Sequence, residues 1–270
     1  MKTILVTTDF SAFSKAAIRF AIQLAAQGKY KLIFFHSYQI LRPTIWSESV
    51  FLSFERSESI KITRRLYKLV NDVYKSLGIP SPELQCVAKT GVYADRNIMD
   101  YASKCHYDFI CISRRGGGRT AELFGSNISR LITKSTIPVI AVPSSYRRAP
   151  IVNISFPSDL SNLDYELEKV ISFNETLGAK VDLLHFKFAA DYITNGIQLN
   201  LIKRKLEENN IGTQYELKRS RPSMLIMFTD QHRSLFERIF MSSISAEFSL
   251  VSKVPLLVFS KIEQLSAINS

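Results

Sequence analysis

The sequence has few cysteines, no long apolar run and none of the features of a secreted chain. Its three cysteines are an odd number without CxxC spacing, which argues against a disulfide scaffold and a cysteine zinc site: Cys86, Cys105 and Cys111. The apolar run at residues 32–35 is far shorter than the roughly 18 residues that a membrane span needs. The N-terminus lacks a signal-peptide layout, because its short apolar run reaches Asp9 at once. We therefore expect a cytoplasmic protein without a membrane partner.

The signatures of several common enzyme classes are also missing. The sequence contains no GxxxxGKS or GxxxxGKT P-loop, no HExxH metal motif and no GxSxG nucleophile elbow. The four histidines are scattered and form no metal-ligand pattern. These absences predict a non-enzymatic protein with neither catalytic residues nor a metal site.

Acidic residues are scarce in the first half only. Residues 1–150 contain 22 Lys or Arg and 10 Asp or Glu, whereas residues 151–270 contain 13 and 14, so the net charge of +11 arises in the first half. A basic half suits an anionic partner such as a nucleotide, phosphate or nucleic acid. A solvated basic surface is the alternative, since Lys and Arg near residues 56–75 have helical spacing. Nucleic acid is the less expected partner, because base-stacking aromatic residues are not interleaved with the basic ones.

Short apolar runs alternate with helical patterns along the first half of this 270-residue chain, whose length suggests two domains. The pattern predicts strands at residues 4–6, 31–35, 84–88, 109–112 and 138–142. It predicts helices from Ser11 or Ser14 to a closing Gly28, and at residues 50–77, 94–104 and 123–135. Buried strands that alternate with helices favour a parallel sheet covered on both faces.

The second half repeats landmarks of the first. Val6–Ser11 recurs as Phe156–Ser161, Phe34–His36 as Leu183–His185, and Ile137–Val142 as Val254–Phe259. An internal duplication explains this repeat. The offset between the copies falls from 149 to 117, so the second copy is about 32 residues shorter. About six residues separate its segments 214–217 and 224–227, where a parallel crossover normally needs a dozen or more. Either its third strand is missing, or residues 212–222 form an extended crossover.

These landmarks resemble the universal stress protein family in its tandem form, over essentially the whole chain. The resemblance rests on Asp9, Gly91, the fourth strand at residues 108–112, the loop 113–119 and Gly125–Asn127. It implies an α/β fold of two tandem flavodoxin-like, adenine nucleotide alpha-hydrolase-like domains with parallel sheets. The domains would be residues 1–145 and a shortened second copy at residues 150–270. Pairing of the two final strands would make an intramolecular pseudo-dimer and cover two apolar edges.

ATP-binding members of the family carry Gly-x-x-Gly, nine residues and then Gly-Ser or Gly-Thr after the fourth strand. Glycines let the backbone approach phosphate, and amides at a helix N-terminus donate to it. Here a serine replaces the first glycine, and only eight residues, instead of nine, separate Gly116 from Gly125. The resemblance implies a degenerate ATP loop that uses Ser113, Arg115, Gly116, Gly125, Ser126 and Asn127. The basic residues Arg114, Arg115 and Arg119 are expected to attract a polyanion. A flexible loop without a ligand is the alternative.

The resemblance adds Thr7, Thr8, Asp9 and Ser37 to the expected nucleotide site. Asp9 matches the family aspartate near adenosine, and ligands bind at the carboxyl ends of parallel strands. It could also cap the first helix. Thr7 and Thr8 would offer backbone contacts, Ser37 would lie beside the adenine, and the neighbouring His36 is expected to be structural. The second half keeps Asp159 but has no glycine after Gly212, so we expect no nucleotide there.

The expected function is that of a non-enzymatic universal stress protein in the stress response, which binds ATP or a similar nucleotide in its first domain. A nucleotide-independent interaction or scaffold protein of the same fold is one alternative. A weak ATP hydrolase is another.

Overall fold

In the computed structural model of the chain, the described residues form ten strands of one sheet, with helices on both faces. The structure describes residues 1–114, 128–147, 149–158, 160, 162–185, 204, 206–214, 221–229 and 253–260. The strands before residue 144 form one half of the sheet, and those after residue 152 form the other half.

The first half alternates strands and helices as its apolar pattern predicts. Its strands are β1 (Thr3–Thr7), β2 (Lys31–Tyr38), β3 (Gln85–Thr90), β4 (Phe109–Arg114) and β5 (Val139–Pro143). Its helices are α1 (Lys15–Gly28), α2 (Glu48–Leu77), α3 (Ala94–Lys104) and α4, whose described part is residues 128–134. The bounds of α3 are those predicted, and the other bounds agree to within three residues, as is common where elements fray. The predicted start of the fourth helix at residue 123 lies outside the described residues.

The second half contains the third strand that the sequence left undecided. Its elements are β6 (Asn153–Ser158), α5 (Leu163–Asn174), β7 (Lys180–His185), β8 (Ile211–Gln214), β9 (Met224–Thr229) and β10 (Leu256–Ser260). Strand β8 lies at the outer edge and pairs in parallel with β7, so the alternative in which this strand is missing is wrong. Only residues 215–223 connect β8 to β9, and most of that connection lies outside the described residues.

The strand order shows the duplication directly. The sheet runs β3-β2-β1-β4-β5-β10-β9-β6-β7-β8, so the second half repeats the first in mirrored order. Neighbouring strands are parallel within each half, whereas β5 and β10 are antiparallel. This arrangement confirms the predicted α/β fold of two tandem parallel sheets, of which the second is shorter.

The pairing of the two final strands is also confirmed. Ile140 lies opposite Leu257, and the flanking pairs are Ala141 with Leu256 and Val139 with Val258. Ile140 and Leu257 are equivalent positions of the duplicated sequence, 117 residues apart. A local two-fold axis therefore passes through this pair. The proposed division into domains at residues 145 and 150 stays a prediction.

Each face of the sheet has its own apolar core. One face packs side chains of α1, α2 and α5 in a single cluster that includes residues of both halves. The opposite face packs α3 and α4 over β1, β2, β4, β5, β9 and β10. None of the helices in the described part of the chain is both long and apolar enough to cross a membrane.

The sequence predicts that Gly28 ends α1 in the left-handed backbone conformation, but Gly28 does not adopt it. Lys29 takes that conformation instead, with φ of 57°, and its N–H bonds to the carbonyl of Ala25. A Cβ on Gly28 would lie 2.5 Å from Tyr30 Cε2 and 2.9 Å from Thr176 Oγ1. The glycine is needed for close packing between the two halves, and not for its φ angle.

Candidate functional site

The candidate site lies where β1 and β4 are neighbours at the carboxyl edge of the first half-sheet. From β1 the chain continues outward to β2 and β3, whereas β4 continues to β5 on the other side. The order of strands therefore reverses between β1 and β4. Open parallel sheets bind ligands in the crevice at such a switch point.

A hydrogen-bonded turn follows β1 and presents Asp9. The N–H of Phe10 donates to Thr8 Oγ1 (3.1 Å), and the N–H of Ser11 donates to Asp9 Oδ1 (2.9 Å). A 2.7 Å hydrogen bond joins the hydroxyls of Thr8 and Ser14, and Ser14 Oγ also donates to the carbonyl of Ser11. Asp9 therefore stabilises this turn, while the N-cap position of α1 belongs to Ser14.

The same turn recurs in the second half. Phe10 and its equivalent Leu160 both have a left-handed backbone, with φ of 63° and 67°. The N–H of Leu160 donates to Ser158 Oγ (2.9 Å), as the N–H of Phe10 does to Thr8. Non-glycine residues adopt this conformation rarely, so its conservation in both copies marks a turn that both half-sheets require.

The carboxyl group of Asp9 is an exposed, charged acceptor. Partial burial acts to raise its pKa, but hydrogen bonds from Ser11 and Ser14 outweigh that effect and lower the pKa below its ordinary value. Asp9 is therefore ionised at neutral pH and can accept hydrogen bonds from a ligand.

Thr7 and Thr8 are bonded within the protein and stabilise its structure. Both are buried, and Thr7 Oγ1 donates to the carbonyl of Cys111 (3.3 Å), which ties β1 to β4. The N–H of Thr8 donates to the carbonyl of Phe35, and its own carbonyl bonds to His36 Nδ1 (2.7 Å). The backbone contacts that the sequence assigns to a ligand at Thr8 are thus made within the protein.

Ser37, near the end of β2, is held by a residue that sequence reasoning missed. Asn97 of α3 donates through Nδ2 to Ser37 Oγ (2.8 Å) and to the carbonyl of Lys89 (3.1 Å). A Cβ on Gly91 would lie 2.8 Å from the Asn97 side chain. The glycine after β3 therefore makes room for Asn97, which joins the ends of β2 and β3.

Ser113, at the end of β4, joins this strand to the loop after β1. Its hydroxyl donates to the carbonyl of Phe13 (2.8 Å), and its side chain is half-buried. The bond spans the switch point between β1 and β4. The serine that replaces the first glycine of the family pattern thus braces the site.

Arg114 does not belong to a basic loop, and this expectation is wrong. Its side chain is fully buried, and Nη2 donates to the carbonyl of Val254 in the second half (3.0 Å). Burial lowers the pKa of its guanidinium to about 10, which leaves it charged at neutral pH. Arg114 links the two halves.

A stack of rings and one cation lies beside Asp9. The rings of Phe10 and His36 are 4.3 Å apart, and the guanidinium of Arg65, on α2, lies 4.3 Å from the Phe10 ring centre. Burial lowers the pKa of His36, and Arg65 adds to this, whereas the bond to Thr8 and the charge of Asp9 oppose it. His36 is therefore neutral at pH 7, with its proton on Nδ1, which donates to the Thr8 carbonyl. Helical spacing alone could not single out Arg65 from the other basic residues of α2.

Half of the predicted site residues lie outside the described part of the chain. These are Arg115, Gly116, Gly125, Ser126 and Asn127, and Asp159 of the second half also lies outside it. The described residues place Thr7, Thr8, Asp9, Ser37 and Ser113 at the ends of three adjacent strands.

The first 143 residues match the model of the universal stress protein family. Among solved structures, a universal stress protein from Archaeoglobus fulgidus DSM 4304 has a TM-score of 0.64 at 14% identity, with 96% of each chain covered. A protein of Pseudomonas aeruginosa PAO1, described as functionally unknown, has a TM-score of 0.55 at 10% identity, with 96% of this chain and 92% of that chain covered.

A shorter match covers about half of the chain. The universal stress protein UspA from Lactobacillus plantarum covers 52% of this chain and 97% of its own, at 20% identity and a TM-score of 0.39. At such identities these likenesses concern the fold. No curated protein matches the chain.

Proposed function

The chain belongs to the universal stress protein family, and on that premise we propose that its first half binds ATP or a similar adenine nucleotide without turning it over. The site would be the crevice between the carboxyl ends of β1 and β4. A role in the stress response, with the second half as a structural partner, completes the proposal.

The charged carboxylate of Asp9 at this edge is the observation that carries the proposal. An ionised carboxylate accepts hydrogen bonds from ribose hydroxyls or from an adenine amino group, and charge-assisted bonds are the stronger kind. Its position is fixed by the N–H of Ser11, so little conformational entropy is lost when a ligand binds. Asp9 would thus hold the adenosine part, with the end of β2 at Ser37 beside it.

The phosphates would face the segment after β4. Gly116 and Gly125 remove side chains that would block a phosphate, and Ser126 and Asn127 add polar groups just before α4. Arg115 supplies positive charge there. Arg65 on α2 adds a cation near Asp9, so the edge as a whole favours an anionic ligand.

Binding without turnover agrees with the state of Asp9. A general base works best when its pKa lies near the operating pH. The pKa of Asp9 is lowered from an already acidic value, which makes this carboxylate a weak base at neutral pH. Its suitable role is to accept hydrogen bonds from the ligand.

Calorimetric titration of ATP into matched variants tests the proposal. Asp9→Ala is expected to weaken binding at least tenfold, about 1.4 kcal/mol, because it removes a charged acceptor. Asp159→Ala changes the equivalent aspartate of the second half and should leave the affinity unchanged. Gly125→Val should also weaken binding, since its side chain would enter the phosphate segment.

Three results would contradict the proposal. Failure of the wild-type protein to bind ATP in the millimolar range would favour a nucleotide-independent interaction protein. Loss of binding in Asp159→Ala but not in Asp9→Ala would move the site to the second half. Steady release of inorganic phosphate from ATP, abolished by Asp9→Ala, would make the protein a hydrolase.

A further inference from the structure

Large apolar side chains are exposed at the start of α2 and in the loop before it. Five of them lie within residues 41–54, which we call the apolar tip. The exposed fractions are 78% for Leu41, 89% for Ile45, 51% for Val50, 42% for Leu52 and 39% for Phe54. Single exposed apolar residues are common, but a cluster of this kind marks a surface that meets an apolar partner.

The apolar tip stands away from the core because α2 is longer than the sheet needs. The helix has 30 residues, about 45 Å at 1.5 Å per residue. Its buried residues all lie in the last 12 residues of the helix: Leu66, Val70, Val73 and Tyr74. The first 18 residues, about 27 Å, contribute no buried side chain to the described core.

The apolar tip is nevertheless an ordered structure. Ser47 caps α2, with its side chain accepting from the N–H of Val50. The ring of Trp46 packs edge-on against Phe54 at 5.1 Å, and the guanidinium of Arg42 lies 5.8 Å from the Phe51 ring centre. The exposure of its side chains is therefore a property of the fold at this place.

The directions of these side chains indicate what kind of surface covers them. At 100° per residue, Val50 and Phe54 lie about 40° apart on the helix, whereas Leu52 points roughly 200° from Val50. Leu41 and Ile45 extend the exposed surface into the preceding loop. A single groove or helix of a partner protein covers one stripe of a helix. A fluid lipid interface can surround an apolar tip from every side.

The charges next to the apolar tip favour an anionic lipid. Residues 41–68 contain six basic and three acidic residues, a net charge of +3, and five of the basic residues follow one another along exposed positions of α2: Arg56, Lys61, Arg64, Arg65 and Lys68. The first half of the chain also carries the whole net positive charge of the protein. Basic side chains beside apolar ones attract a segment to anionic headgroups and hold it in the interface.

We propose that the apolar tip docks the protein onto anionic lipid surfaces, with Leu41, Ile45 and Val50 entering the headgroup region and Arg56 and Lys61, the basic residues of α2 nearest to the tip, contacting lipid phosphates. This docking is peripheral and needs no membrane-spanning helix. It is independent of nucleotide binding at the carboxyl edge.

Trp46 gives a direct measurement, because it is the only tryptophan of the sequence and lies within the apolar tip. The full-length protein is mixed with vesicles of phosphatidylcholine containing about a quarter phosphatidylglycerol. The expected result is a blue shift of tryptophan emission together with co-sedimentation of the protein. Both effects should weaken in about 0.5 M salt, where charges are screened within a few ångströms, and in pure phosphatidylcholine.

Matched variants separate the apolar tip from general charge attraction. Ile45→Glu combined with Val50→Glu should reduce the vesicle partition coefficient at least tenfold. Both side chains are exposed, so the free energy of unfolding should stay close to that of the wild type. Val152→Glu changes an apolar residue of similar exposure (54%) between the two halves, and should leave partitioning nearly unchanged.

The outcomes decide the proposal in either direction. Absence of a blue shift with anionic vesicles overturns it, as does equal partitioning of the Ile45→Glu/Val50→Glu variant. A blue shift that depends on protein concentration without vesicles, and disappears in that variant as a dimer becomes a monomer, would assign the apolar tip to self-association and overturn lipid docking.

Discussion

At single positions, the second half carries polar residues where the first half has apolar ones. Ser155 and Asp182 face each other in the register of β6 and β7, at the places that Leu5 and Ile33 hold in β1 and β2. Ser155 is fully buried, and its hydroxyl has no hydrogen-bond partner among the described residues. A buried polar atom without a partner costs free energy, so this serine lowers the stability of the second half.

Ser155 and Ser223 should therefore respond in opposite ways to the same change. Ser155→Ala is expected to raise the free energy of unfolding by about 1 kcal/mol, because it removes a buried hydroxyl that has no partner. Ser223 Oγ accepts from the N–H groups of Val152 and Asn153 and donates to the carbonyl of Asn153. Ser223→Ala should lower the free energy of unfolding by about 1–3 kcal/mol, since the N–H groups of Val152 and Asn153 lose their acceptor. Urea unfolding of both variants provides the measurement, and a loss of stability in Ser155→Ala would contradict the assignment.

Some residues could be placed from the sequence and others could not. Asp9 follows a buried strand directly, and this local pattern fixes it at the carboxyl edge. The environment of Arg114 depends on Val254, which lies 140 residues further along the chain, so no local pattern could reveal that this arginine is buried. The packing of Gly28 against Thr176 is of the same long-range kind.

At the level of elements, the junction between β5 and β10 holds the sheet together. Both strands are fully or almost fully buried, and equivalent residues of the two copies face each other around the pair Ile140 and Leu257. Each of these two side chains contacts the core that the two halves share on the face of α1, α2 and α5. Burial at a two-fold position makes them equivalent in environment as well as in sequence.

Ile140→Ala and Leu257→Ala should thus destabilise the protein by similar amounts. Both side chains are completely buried, and removal of such side chains typically costs about 2–5 kcal/mol. Ile45→Ala is the matched control, since its side chain is 89% exposed and its removal should change stability by roughly 0.5 kcal/mol or less. Denaturant unfolding measures all three. A cost for either buried position as small as that of Ile45→Ala would show that the junction contributes little.

Element prediction from the sequence succeeded where the pattern was long and periodic. The helix α3 and the alternation of strands follow from apolar spacing, which depends only on local burial. The third strand of the second half could not be decided, because the usual length of a parallel crossover argues against a strand so close to β9. In the structure, β8 lies at the outer edge beside β7, and this position depends on strand pairing that local sequence patterns do not show.

Across the whole molecule, the halves contact each other well beyond the two central strands. Lys2 Nζ donates to the carbonyl of Ser172 on α5 (2.7 Å), and Gln27 bonds to both the N–H and the carbonyl of Ile151. The ring of Phe173 packs against Tyr30 and Phe109 of the first half. The two halves therefore share the core on the face of α1, α2 and α5, and the link between them in sequence is a minor part of what holds them together.

A cut in the linker should for this reason leave the halves associated. Strand β5 ends at Pro143 and β6 begins at Asn153, and Arg147, Ala149 and Pro150 between them are exposed. A specific protease site inserted after Arg147 can be cleaved without touching either core. We expect the two fragments to co-elute in gel filtration at the size of the intact chain, because the paired strands and the shared core remain.

The variant Val258→Pro removes a backbone N–H from β10, which lies between β5 and β9, and should release the fragments from each other after cleavage. Leu257→Ala, a milder change at the same junction, should release them at a lower denaturant concentration than the cut wild type. Separation of the wild-type fragments immediately after cleavage would show that strand pairing does not hold the halves together.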